Sequence, residues 1–137
     1  GSPHEIYFRP ASKFVADFIG RSNFAKCTVK KIGEKETVVS LFGQEITVPT
    51  ENNSGVKEGT EVTFMSRPES MLIGKDGALK GTVQTSTFMG SMQEYFVKVE
   101  DTTFIIEDYN FLENGVFEEG SVVGLSFRKN STHLINE

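Results

Sequence analysis

After Asn23 the apolar residues of this chain stop recurring at helical spacing and begin to alternate one by one. A period of two puts successive side chains on opposite faces of an extended strand, so each such segment has one face to bury and one to wet. Ala25, Cys27 and Val29 alternate with Lys26, Thr28 and Lys30. Val39 and Leu41, then Ile46 and Val48, continue on either side of Gly43-Gln44, which reads as a hairpin turn. Val62 and Phe64 resume the pattern after a polar loop over 50–59 that contains Asn52-Asn53-Ser54-Gly55, and Pro68 stops that strand because it has no amide to donate.

Leu79 and Val83, then Tyr95, Val97 and Val99, then Phe104 and Ile106 form a second series, with turns at Met89-Gly90-Ser91 and Glu100-Asp101. The stretch Asp108 to Phe117 reads as a covering loop or an irregular strand. Val123, Leu125 and Phe127 restore alternation, and Leu134-Ile135 suits an edge strand. About ten short strands predict an all-β fold, a barrel of antiparallel strands in two lobes, about 24–73 and 78–136, with the seam at Gly74-Lys75-Asp76-Gly77. Upstream, Phe14, Val15, Phe18 and Ile19 gather on one face of a helix that Ser12 can cap and Gly20 can end, so 1–23 is predicted to be a helical segment.

Length and composition narrow the function classes. A chain of 137 residues, 37% hydrophobic and 24% charged, can bury a core without staples, which predicts a folded, water-soluble domain. Its longest apolar stretches, Phe14 to Ile19 and Phe104 to Ile106, fall far short of the roughly 20 residues that cross a bilayer, so no direct membrane insertion is expected. The net charge of −5 is dispersed, and Lys30-Lys31 is the one adjacent basic pair, which argues against nucleic acid as a partner. The single cysteine, Cys27, lies on the apolar side of an alternating segment and is expected to be core, which suits a reducing, cytoplasmic setting.

Catalytic chemistry is missing. No Gly-x-x-x-x-Gly-Lys-Ser/Thr loop is present to cradle phosphates, and His4 and His133 alone do not supply a His-based acid–base site or a zinc cluster. No cofactor, metal or catalytic residue is therefore expected. The carboxylate pairs Glu107-Asp108 and Glu118-Glu119 could in principle perform acid–base chemistry or bind a hard cation, but adjacent strand residues point to opposite faces, and both read as solvated turns. The segment Phe64 to Glu69 is different: a strand delivers Arg67 and Glu69 on either side of the rigid Pro68. Guanidinium and carboxylate held this way can close a strand-end salt bridge or grip a partner through fork-shaped hydrogen bonds.

Gly1-Ser2-Pro3, Glu5-Ile6-Tyr7, Pro10, Phe14-Val15-Ala16-Asp17-Phe18-Ile19-Gly20 and Asn23 resemble the end of the ATPase domain in importer ABC subunits, where Gly-Thr-Pro, Ile-Tyr, proline and Phe-Val-Ala-x-Phe-Ile-Gly follow at this spacing. Arg67-Pro68-Glu69 resembles that family's Arg-Pro-Glu signature, and Gly81-x-Val83, Met89-Gly90 and Tyr95-x-Val97 are similar to its transport-associated module. The likeness spans nearly the whole chain, with Lys26-Cys27 standing where a glycine is common and no substrate signature in the second half. It implies that 24–137 is an OB-like regulatory and dimerisation domain, non-catalytic by itself, of an ATP-binding subunit whose ATP and magnesium sites lie elsewhere. The implied partners are a second copy of the subunit, the permease through the ATPase domain, and a regulatory protein or small ligand. The implied setting is the cytoplasmic face of the cell membrane. Arg67, Pro68, Glu69, Gly90 and Tyr95 become the candidate contacts. The alternative is a module that senses a small ligand, an oxyanion or the transported solute.

Overall fold

The computed structural model describes residues 21–53 and 55–136, and the helix expected over 1–23 lies almost wholly outside them. The described chain is all-β and OB-like, as its alternation predicts, with ten strands in two five-stranded antiparallel sheets. It divides into two units, one from residues up to Ser66 together with 129 onward, the other Arg67–Arg128.

The first unit holds β1 (Asn23–Ile32), β2 (Glu36–Leu41), β3 (Gln44–Pro49), β4 (Glu61–Ser66) and β10 (His133–Ile135), in the order β10-β4-β1-β2-β3. β10 also comes against β3, so the sheet curls until its two edges meet. Its inward positions are the predicted ones: Cys27, Val29, Val39, Leu41, Val48, Val62, Phe64 and Leu134 are buried. Leu41 pairs with Gln44 across Phe42-Gly43, both at positive φ, so the two-residue turn falls one residue earlier than expected. Two such residues match the right-handed twist of the strands they join. Between Val29 and Lys31 the register with β2 slips, and this bulge leaves both Lys30 and Lys31 exposed where strict alternation allows only one. The 50–59 loop is more ordered than its polarity suggests: Thr50–Asn52 form a 3₁₀ turn, the Asn52 amide donates to the Thr132 carbonyl at 2.9 Å, and Val56 is buried.

The second unit opens with a 3₁₀ turn at Pro68–Ser70 and β5 (Met71–Gly74), followed by β6 (Leu79–Phe88), β7 (Gln93–Val99), β8 (Thr102–Asp108), a one-turn helix at Phe111–Asn114 and β9 (Val122–Phe127). Strand order is β5-β9-β6-β7-β8, and β8 comes back against β5 and the 3₁₀ turn. Met71, Leu79, Val83, Tyr95, Val97, Phe104, Ile106, Val123 and Leu125 fill the interior.

The units do not divide at the expected seam. Residues 75–78 connect β5 to β6, two strands that both pair with β9 and not with each other, so this is a crossover inside the second unit. Its backbone lies directly on β9. A Cβ built on Gly124 falls 2.4 Å from the Asp76 carbonyl carbon and 2.5 Å from the Gly77 nitrogen, and one on Gly77 falls 2.6 Å from the Leu125 nitrogen. Leu134-Ile135, expected in the second lobe, instead edge the first sheet, because β4 has an open ladder on the side away from β1.

Candidate partner-binding site

All five residues singled out from the sequence fall in the Arg67–Arg128 unit. Ser66 and Arg67 complete the exit from β4, and Pro68 occupies the first position of the 3₁₀ turn, where its fixed φ suits a helical start and its missing amide costs nothing. The Ser70 amide donates to the Arg67 carbonyl at 3.0 Å and closes the turn, and the Ser70 carbonyl accepts from the Arg128 amide at 2.9 Å. Arg67 is not the exposed strand-end residue that its place before a proline suggests. It is 8% exposed, Pro68 is buried, and only Glu69 is half-open to solvent.

Tyr95 is fully buried at the centre of β7, between Ser86 of β6 and Ile106 of β8. Its hydroxyl accepts a 3.1 Å bond from the Phe117 amide, and its ring meets the Phe117 ring edge-on at 6.2 Å. Burial raises the phenol's pKa above 10.0, the Phe117 amide pulls it back by bonding the oxygen, and the charge of Asp108 adds to the rise. Tyr95 thus fastens the connection between β8 and β9 to the barrel wall. Gly90 stands at φ 93° in the exposed β6–β7 turn with open space around it. The structure therefore separates the five into a buried strand exit (Arg67, Pro68), a half-buried carboxylate (Glu69), a buried anchor (Tyr95) and an exposed turn (Gly90).

Asp108, read from sequence as half of a solvated pair, is buried and accepts from the Asn110 amide at 2.9 Å and from the Asn114 side chain at 3.1 and 3.2 Å. It organises the one-turn helix. Glu118 and Glu119 are exposed as expected. Cys27 is buried, and desolvation raises its thiol pKa from 9.0 to about 12, with Glu61 adding to the rise and Lys26 opposing it, which makes it inert. Among the described residues no three His, Cys, Asp or Glu side chains converge as a metal site would require.

Sequence reasoning missed one concave feature. Lys80, Gly81, Thr82, Lys98, Glu100 and Val122 line an open depression of about 280 Å³. Register gathers its lining: Thr82 lies opposite both Lys98 and Val122, and Lys80 stands two residues before Thr82 on the same face, its ammonium donating to the Lys75 carbonyl at 3.2 Å. The signal was present as lysines at the outward positions of two alternating strands, but nothing in the sequence pairs those strands.

Residues 64–135 match the family model for the TOBE domain. The spermidine/putrescine import ATP-binding protein PotA of Borreliella afzelii is 36% identical over 118 residues, covering 84% of this chain and 32% of that protein. PotA of Bacteroides thetaiotaomicron is 35% identical over 140 residues, 100% of this chain and 28% of its own, and the Fe(3+) ions import ATP-binding protein FbpC of Rhizobium etli is 33% identical over 138 residues, 99% and 37%. The chain thus spans about a third of the length of these relatives. Among solved structures, the cytoplasmic molybdate-binding protein ModG with molybdate bound is similar in fold, with a TM-score of 0.63 at 19% identity, covering 84% of this chain and 96% of that one.

Proposed function

Since the chain belongs to the TOBE domain family, of the kind carried by the ATP-binding subunits of ABC importers, we propose that it regulates such a subunit and helps pair two copies of it, without catalysing. The observation that carries this is the alignment of essentially the whole chain, 99% to 100%, with import ATP-binding proteins three times its length. A segment of that size with no phosphate-binding loop of its own acts on the ATPase through contacts. Arg67 and Pro68 shape the buried exit from β4, Glu69 stands half-open beside them, Tyr95 anchors the β8–β9 connection through Phe117, and Gly90 lies at the exposed tip of the β6–β7 hairpin. The permease is reached through the ATPase domain, on the cytoplasmic face of the membrane.

Deletion of residues 24–137 from the full-length subunit tests the reading. ATP hydrolysis by the remaining ATPase domain is expected to persist, while its dependence on transporter assembly or on an inhibitory signal is lost. Unaltered regulation and unaltered pairing after deletion defeat the proposal.

The Lys80–Lys98 depression supports a second reading, in which the module senses a small anion, as the molybdate-binding ModG does on a similar fold. Two ammonium groups and the Thr82 hydroxyl suit an oxyanion, and Glu100 opposes it. A thermal-shift panel of molybdate, tungstate, sulfate, ferric citrate and spermidine separates the two, because a ligand bound only to the native state raises the melting temperature. No shift leaves the contact-based reading alone.

A further inference from the structure

A buried carboxylate and a helix end meet at two adjacent residues, Asn114 and Gly115. Asp108 is buried at the end of β8, and both of its oxygens accept from the Asn114 side-chain amide, at 3.1 and 3.2 Å. A carboxylate held there selects a donor opposite it, which the Asn amide supplies without a charge of its own. The one-turn helix Phe111–Asn114 then ends on Gly115, which stands at φ 79° and whose amide donates to the Phe111 carbonyl at 2.9 Å. Positive φ in that place favours glycine. The two requirements together spell Asn-Gly, and of the seven asparagines in the chain only Asn114 precedes a glycine.

That dipeptide carries a reaction of its own. The Gly115 nitrogen, once it gives up its proton, attacks the side-chain carbonyl carbon of Asn114. The bond that forms joins Gly115 N to Asn114 Cγ, and the bond that breaks is Cγ to Nδ2, which leaves as ammonia. Water then opens the cyclic imide at either carbonyl and yields Asp or iso-Asp, with no oxidant, reductant or cofactor consumed. Glycine presents no side chain to obstruct the approach, and ring closure within one chain is entropically favoured. Asn114 and Gly115 are both exposed, so water reaches them.

We propose that Asn114 is a modification site, which deamidates spontaneously under the control of the one-turn helix and thereby unfastens the start of the β8–β9 connection from Asp108. In the closed turn the Phe111 carbonyl engages the Gly115 amide proton and Asp108 fixes the Asn114 side chain, so reaction waits for the turn to open. No residue of the helix is buried, and a single turn is marginal by itself, so opening is frequent. Reaction turns a donor into an acceptor. A new carboxylate at 114 stands where Asp108 had received two hydrogen bonds, and like charges at that separation repel. Iso-Asp also adds a carbon to the main chain, which displaces the bond from the Asn114 backbone amide to the Asn110 carbonyl. Tyr95 still holds the connection at Phe117, so the change is confined to residues 109–116. The proposal stands apart from the regulatory reading, because the chemistry belongs to this turn whatever the domain regulates.

The test holds the 137-residue chain at 37 °C and pH 8, folded and in guanidinium chloride, with samples cleaved at intervals for peptide mass spectrometry. The mass gain of acid for amide is expected at Asn114 ahead of the other six asparagines. It should appear about ten- to a hundredfold more slowly in the folded chain than in the unfolded one, which is the opening equilibrium of a marginal turn. In Asn114→Asp, hydrogen exchange of the backbone amides of residues 114 and 115 should accelerate at least about tenfold, while the Phe117 amide keeps its protection. Adding Asp108→Asn to that variant sets amide and carboxylate opposite each other again with their places exchanged, and should recover the protection. Far-UV circular dichroism verifies the fold of each variant, and the mass measurement on the parent chain needs no variant at all. The proposal is overturned by another asparagine reacting first, by equal rates in folded and unfolded chain, or by a folded chain still unreacted after more than about a hundred unfolded half-times. Unaltered exchange in Asn114→Asp, or no recovery in the exchanged pair, overturns it as well.

Discussion

Gly124→Ala isolates the contact on which the crossover of the second unit depends. The added methyl sits 2.4 Å from the Asp76 carbonyl carbon, 2.5 Å from the Gly77 nitrogen and 2.8 Å from the Asp76 oxygen. Carbon atoms in contact rest at about 3.5–4.0 Å, so the methyl is more than an ångström too deep. All three neighbours are backbone, and no rotamer change relieves the overlap. Either residues 75–78 lift off β9 or β9 shifts against β5 and β6. Overpacking a well-filled site costs roughly 1–3 kcal/mol, and with backbone on both sides the upper figure, about 3 kcal/mol, is expected. With a urea dependence of about 1–3 kcal/mol per molar, the midpoint should drop by about 1–3 M. Trp is absent and two of the three tyrosines, Tyr95 and Tyr109, lie in the second unit, so tyrosine fluorescence beside far-UV circular dichroism follows the transition. Gly90→Ala is the control. Its site is open but its φ is 93°, so it carries only the left-handed backbone penalty of about 1 kcal/mol. Gly77→Ala combined with Gly124→Ala should cost less than the sum of the two, since either methyl alone already displaces the crossover. A Gly124→Ala midpoint within about 0.2 M of the parent, or a loss smaller than that of Gly90→Ala, refutes the reasoning.

Three further outcomes follow from single contacts. Tyr95→Phe strands the Phe117 amide and should cost about 1–2 kcal/mol in the urea midpoint, with an alkaline titration of Tyr95 lost from the absorbance at 295 nm. Cys27 has a native pKa above its unfolded value, so its contribution is whole below pH 9.0 and is lost as pH climbs toward about 12; Cys27→Ala should flatten that alkaline limb, and equal limbs would falsify the assignment. Arg67→Ala should cost about 2 kcal/mol or more, beyond the ~1 kcal/mol of a surface ion pair, because a buried side chain loses its packing as well as its charge; a loss under about 0.5 kcal/mol contradicts the buried placement.

What the sequence made legible was local. Alternation identified the inward residues of β1 to β4 and β6 to β9 because the pleat imposes a period of two on any strand with one wet face. The turn at Gly90 was readable because positive φ favours glycine, and the one at Glu100-Asp101 because an acidic pair interrupts the alternation. Sheet membership was not readable, since hydrogen-bonded ladders join any two extended segments and leave no residue-level mark. That is why β5 and β10 were placed in the wrong lobes. Among the candidate contacts, chemistry pointed to Arg67 and Tyr95 but exposure did not follow: the same guanidinium or phenol serves a partner or a core, and packing decides which.

The strand that completes the first sheet is made late. Thr132 accepts from Asn52 eighty residues earlier in the chain, and Leu134 pairs with Phe64 across the whole of the 67–128 insertion. In chain order every strand of the second unit precedes β10, so β4 stays open along one edge until the last strand of the sheet is delivered. During that interval the exposed ladder of β4 is a template for any extended segment nearby. Met71 pairs with Phe127 and the Ser70 carbonyl accepts from the Arg128 amide, so the chain enters and leaves the folded second unit at adjacent points, and closing the first sheet then costs less than closing an open loop of the same length.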